Sequence, residues 1–236
     1  MSVILGFLLI VLCISGWWLS RQGIMSKPWL EQGAPAAMAD PQGQGRRTAR
    51  IGLGVFLAVI GALFAMFASA YFERMGLPDW RSFPLPRLLW VNTGMLIAGS
   101  VALQCALVDA RGGAMAQARR GLVVAALSGL AFLAGQLWVW LQLVSGGLVV
   151  ASGPAITFFY LLTGLHGLHI LGGLVALASS MPGAWRQGES GRSRFLLRLE
   201  LCTTYWHFLL GLWLVIVLVL TGWADEIIAT CSQLLS

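Results

Sequence analysis

Charge is what this sequence has least of. Only 10% of its 236 residues are charged, whereas 58% are hydrophobic, and an ordinary soluble domain carries about 25% charge. So little charge excludes a soluble globular protein. Histidine is scarce too, with three residues, His166, His169 and His207. The four cysteines, at 13, 105, 202 and 231, form no CxxC or CxxxC pair, which argues against a thiolate metal site or a disulfide framework. A phosphate-binding loop, HExxH, GxGxxG and a Ser-His-Asp order are all missing, so catalysis of the soluble-enzyme kind is not expected.

Long apolar runs are what the sequence has instead. About 20 apolar residues cross the hydrocarbon core of a bilayer, and runs of that length fall at 2–20, 51–72, 88–108, 121–143, 155–179 and 203–223. The expected fold is therefore an all-α membrane protein with six transmembrane helices. The first run has no basic leader, and Ala37-Met38-Ala39 lies too far beyond it for signal cleavage, so it reads as a retained helix. An irregular linker is expected over 21–50, where Pro28, Pro35 and Pro41 stand among glycines and arginines. The main bundle then spans 51–224, and 225–236 forms a short tail.

The formal net charge is +6, and its distribution speaks to topology. Arg74, Arg81 and Arg87 are the only basic residues on one side of the predicted membrane; the others lie in 21–50, 109–120 and 180–202. Basic loops stay cytoplasmic. Both termini are thus expected on the outer face, and no nucleic-acid groove need be invoked. Trp17, Trp18, Trp80, Trp90, Trp138, Trp140 and Trp223 fall near predicted helix ends, where indoles anchor at the headgroup level.

Ionisable or polar residues inside a span are costly and mark functional positions by default. His166 and His169 are three apart on one helix, and Glu200 and His207 are seven apart on the next, so each pair shares a face. A carboxylate and imidazoles on neighbouring helices would satisfy one another. Two readings follow: a small membrane haem or metal protein using His166, His169 and His207, or hydrogen-bonding residues that pack helices. Three imidazoles without a thiolate pair fall short of a haem-copper active subunit or a copper electron-entry subunit. Gly164, Gly167, Gly172 and Gly173 would let helices approach closely, and Asn92 and Thr93 would add an interhelical hydrogen bond.

The segments 157–174, TFFYLLTGLHGLHILGGL, and 200–208, ELCTTYWHF, resemble subunit III of haem-copper respiratory oxidases. The first fits the family's G-[FL]-H-G-x-H element. The second places Glu200 five residues before Tyr205, Trp206, His207 and Phe208, as the family does. Residues 85–107 look like the family's NT-containing helix and 56–72 like the helix before it, so the resemblance covers 51–223.

That resemblance implies a five-helix subunit III bundle preceded by one extra helix, and a noncatalytic subunit without cofactors of its own. Haem and copper would belong to partner subunits I and II, and phospholipid would lie between the helices of this chain, in a bacterial cytoplasmic membrane. It implies interhelical and lipid-headgroup roles for His166, His169, Glu200, Tyr205, Trp206, His207, Asn92 and Thr93. The donor would be cytochrome c, with a quinol oxidase or nitric oxide reductase component as the alternative. Two departures stand out. Ile60 occupies the place of a membrane-embedded Glu found in many members, and Leu210 that of an Asp after Tyr-Trp-His-Phe.

Overall fold

The computed structural model describes residues 41–222 apart from Ser82 and 185–188, with side chains from Gly45 onward except at Glu189 and Ser190. Five α-helices account for most of this: α1 Pro41–Met75, α2 Leu88–Gly112, α3 Met115–Ser145, α4 Pro154–Ser180 and α5 Glu189–Leu220. Each is long and apolar enough to cross a membrane. The helix expected at 2–20 and the tail at 225–236 lie outside the described residues. Helix α1 begins at Pro41, inside the stretch expected to be irregular linker. Proline is well tolerated in a first helical turn, where its missing N–H would have no partner. An apolar run therefore marks the spanning part of α1 and not its start.

The chain divides into two units, Met1–Ala65 and Met66–Ser236, with the division inside α1. In the first unit, α1 shows exposed Val55, Phe56 and Val59, the dress of a helix with a lipid-facing surface. In the second, the end of α1 brings Tyr71 edge-to-face against Trp80 and Phe158, with centroids 4.9 and 5.7 Å apart. The four helices α2 to α5 pack in a closed round, each against the next and α5 back against α2.

Sequence chemistry sets the connections. Gly113 takes a left-handed φ of 87° and ends α2, while Ala114 N–H bonds Asp109 O at 2.9 Å, a terminating geometry that glycine favours. Arg192 of α5 donates to the Ala110 and Arg111 carbonyls at 3.3 Å each, where a cation suits the helix C-terminus. Arg119 donates from Nε and Nη2 to Ala184 O at 3.1 and 2.9 Å. At the opposite end of the bundle, Tyr160 OH donates to Leu148 O at 2.9 Å, and Pro154 starts α4.

The burial pattern departs from that of a soluble bundle, with polar side chains inside beside the apolar core and large apolar ones outside. Asn92, Ser100, Gln136, Thr163, His166 and Thr203 are buried, while Leu127, Leu141, Leu168 and Val175 are exposed. Lipid is as apolar as leucine, so no hydrophobic drive separates the faces, and close packing and hydrogen bonds choose the interior. The closest approach joins α2 to α3. A Cβ on Gly121 would stand 2.8 Å from Ala106 Cβ, and one on Gly135 would overlap the Asn92 amide.

Candidate functional site

Trp140 Nε1–H donates to the buried Thr163 Oγ1 at 3.1 Å and ties α3 to α4, and the polar residues around the sequence motifs form three further groups. In the first, Trp213 Nε1–H donates to Thr93 Oγ1 at 2.9 Å, and Thr93 donates to the Leu89 carbonyl one turn back, also at 2.9 Å. Asn92 Nδ2 donates to Gln136 Oε1 at 3.3 Å, tying α2 to α3. His166 lies beside Trp213 and Phe132, with ring centroids 5.1 and 5.7 Å away. It is fully buried, and among the described residues neither ring nitrogen has a hydrogen-bond partner; Gln136 Nε2 is likewise unpartnered among them. Such orphans are rare and costly in a low-dielectric interior.

The second group fastens α5 to α4. Tyr205 OH donates to the His169 carbonyl at 2.9 Å, and His169 Nδ1 lies 2.7 Å from Leu165 O, to which it donates. Beside it, the Trp206 indole fills a notch: Cβ atoms built on Gly129 and Gly173 would fall 3.0 and 3.1 Å from its ring carbons. Those two positions must stay small. Trp206 Nε1 is buried without a partner among the described residues.

The third group joins α5 to α2. His207 Nδ1 pairs with the Ser100 hydroxyl, and His207 Nε2 lies 3.2 Å from Gln104 Oε1. One tautomer serves both, with Ser100 donating to Nδ1 and Nε2–H donating to Gln104. Nearer the α2–α3 loop, Glu200 pairs with Arg111 at 3.5 Å.

Glu200 and His207 thus share a face, as their spacing predicts, but their bonds run to α2 rather than to the histidines of α4. The α5 face toward α4 is taken by Tyr205 and Trp206. His166, His169 and His207 consequently stand in three separate surroundings, and among the described residues no three of His, Cys, Asp and Glu gather as a metal site would require. Of the glycines singled out in sequence, Gly173 is tightly confined and Gly164 faces Trp140 at 3.3 Å, whereas Gly167 and Gly172 meet only ordinary contacts at 3.7 and 3.9 Å.

Sequence reasoning passed over Trp213, Ser100, Gly121, Gly129 and Gly135. Trp213 carried a usable signal, since a tryptophan well inside a span cannot be a headgroup anchor. The others carried none, because a Gly or Ser inside an apolar run is ambiguous until its neighbour is known.

Comparison with known proteins bears on this arrangement. The family model described as Cytochrome c oxidase subunit III matches residues 43–225. Among curated relatives, "Cytochrome bo(3) ubiquinol oxidase subunit 3" of Pseudomonas aeruginosa is 29% identical over 157 residues, covering 66% of this chain and 74% of the relative. "Probable cytochrome c oxidase subunit 3" of Mycobacterium bovis is 32% identical over 165 residues, covering 67% and 77%. "Cytochrome c oxidase subunit 3" of a Synechocystis species is 29% identical over 170 residues, covering 70% and 71%.

Proposed function

The chain belongs to the cytochrome c oxidase subunit III family, and from that premise we propose how it acts within its complex. It is an integral membrane protein and an accessory subunit III of a haem-copper oxidase. In the proposed role it docks on the catalytic subunit I, with subunit II in the same assembly. It steadies the catalytic subunit, and phospholipid fills the grooves between its helices. Redox chemistry takes place in the partners.

One observation carries this reading. Five motif residues hold one helix to another or fill a helix–helix notch: Asn92, Thr93, Tyr205, Trp206 and His207. Interhelical bonds and close-packed small residues are how a membrane bundle is stabilised, and a chain that spends its polar groups so acts as a frame. The proposed setting is the bacterial cytoplasmic membrane, with the arginine-rich α2–α3 end inside and both termini outside. Arg111, Arg119, Arg120, Arg192, Arg194 and Arg198 at or near that end support this orientation.

Cytochrome c is the proposed donor, favoured by relatives named cytochrome c oxidase subunit 3. The Pseudomonas relative, named a ubiquinol oxidase subunit, supports quinol as a second reading. The test is purification of the tagged chain in mild detergent, with a reduced-minus-oxidised spectrum and mass identification of its partners. A haem-bearing subunit that comes with the chain, and a spectrum lost when the chain is stripped away from it, are expected. Stoichiometric haem on the lone chain would overturn the reading. Oxygen uptake by the complex with reduced cytochrome c, compared with quinol, decides the donor.

A further inference from the structure

The outward faces of the α2–α5 round are not alike. Along α3 the exposed side chains inside the span include Val123, Leu127, Leu130, Leu137 and Leu141, and along α4 Leu161, Leu168, Leu171 and Val175. These suit acyl chains. The seam between α2 and α5 differs, because Gln104, Thr204 and His207 are exposed there, well inside their helices.

His207 itself is satisfied, since its two nitrogens engage Ser100 and Gln104. That engagement consumes the Gln104 carbonyl oxygen and turns its amide NH2 into the unmet group: among the described residues no acceptor is bonded to it. An unmet donor at this depth is costly because hydrocarbon offers no acceptor and lipid oxygens stay near the headgroups. Another protein helix can supply one. The seam also leaves room for close approach, for a Cβ built on Gly211 of α5 would meet none of the described residues within 4 Å.

We propose that the α2–α5 seam around Gln104 and His207 receives a transmembrane helix of the haem-bearing partner subunit, which presents a hydrogen-bond acceptor to the Gln104 amide. This deepens the accessory-subunit reading and rests on it. The α3 face then remains lipid-facing.

The experiment places a photoreactive benzoylphenylalanine at Val101, Val108 or Val215, all exposed near the seam, and at Leu127 or Leu137 on the α3 face, in membranes containing the full oxidase. Adducts to the haem-bearing subunit are expected from the first three positions, and lipid adducts alone from the last two. In parallel, Gln104→Leu should lower the amount of this chain retained in the purified complex about threefold, the effect of one typical intramembrane hydrogen bond. Leu130→Ala should leave it unchanged. Adducts to the haem-bearing subunit from the α3 positions but not from the seam, or to a second copy of this chain from the seam, overturn the proposal while the accessory role stands. Full retention of Gln104→Leu overturns the assigned hydrogen bond. If no haem-bearing subunit copurifies with the unsubstituted chain, the accessory-subunit reading itself fails.

Discussion

Asn92 of α2 lies directly over Gly135 of α3, so closely that a methyl group at 135 would overlap its side-chain amide. The amide cannot simply turn away, because it donates to Gln136. Gly135→Ala should therefore destabilise the bundle by about 1–3 kcal/mol, the usual cost of overpacking. Gly94→Ala, where a Cβ meets none of the described residues within 4 Å, is the control and should be neutral or slightly stabilising through helix propensity. Thermal unfolding of the two variants in detergent separates them, and equal midpoints would refute the contact.

His166 presents the opposite case. Between Phe132 and Trp213, with both nitrogens unpartnered among the described residues, its imidazole brings a desolvation cost without a compensating bond. His166→Phe should leave stability unchanged or raise it by up to about 1 kcal/mol. The haem spectrum of the purified complex should not change. A loss of about 3 kcal/mol would instead reveal a bound water or another partner at the ring.

Arg119 fixes the α2–α3 end through two bonds to one carbonyl, that of Ala184. Arg119→Leu should cost about 2 kcal/mol, in the range for hydrogen bonds to a charged group. Arg119→Lys should recover only part of this, since a single ammonium cannot reproduce the two-pronged geometry. Protease accessibility of the loop after α4 gives the measurement, and full recovery by lysine would show that charge alone matters.

Tyr205 and Trp206 are adjacent yet contribute by different means. Tyr205→Phe removes one interhelical bond and should cost about 0.6 kcal/mol, typical of such bonds in membranes. Trp206→Ala empties the notch between Gly129 and Gly173 and should cost about 3–5 kcal/mol. Denaturation of both variants in mixed micelles tests this order, and a larger loss for Tyr205→Phe would reverse the assignment.

The sequence by itself determined where the helices run, because the length of an apolar stretch is dictated by bilayer thickness: the expected spans at 51–72, 88–108, 121–143 and 155–179 lie within α1 to α4, and that at 203–223 overlaps α5 but runs past its end at Leu220. It also determined the family, through Gly164 to His169 and Glu200 to His207. It misjudged the starts of α1 and α5, since apolarity measures depth in the membrane, and residues 41–50 and 189–202 are helical without belonging to an apolar run.

What only the tertiary structure decided is which side of each helix faces inward. In water an amphipathic stripe would have announced it, but against lipid a leucine gains nothing by turning inside. The interior is instead set by fits that exist only between helices: Gly121 against Ala106, Asn92 over Gly135, Trp206 between two glycines, Ser100 to His207. For the same reason Glu200 and His207 turned to α2 rather than to the α4 histidines. Their spacing along one helix fixed a shared face, and the packing of the whole bundle fixed which neighbour that face would meet.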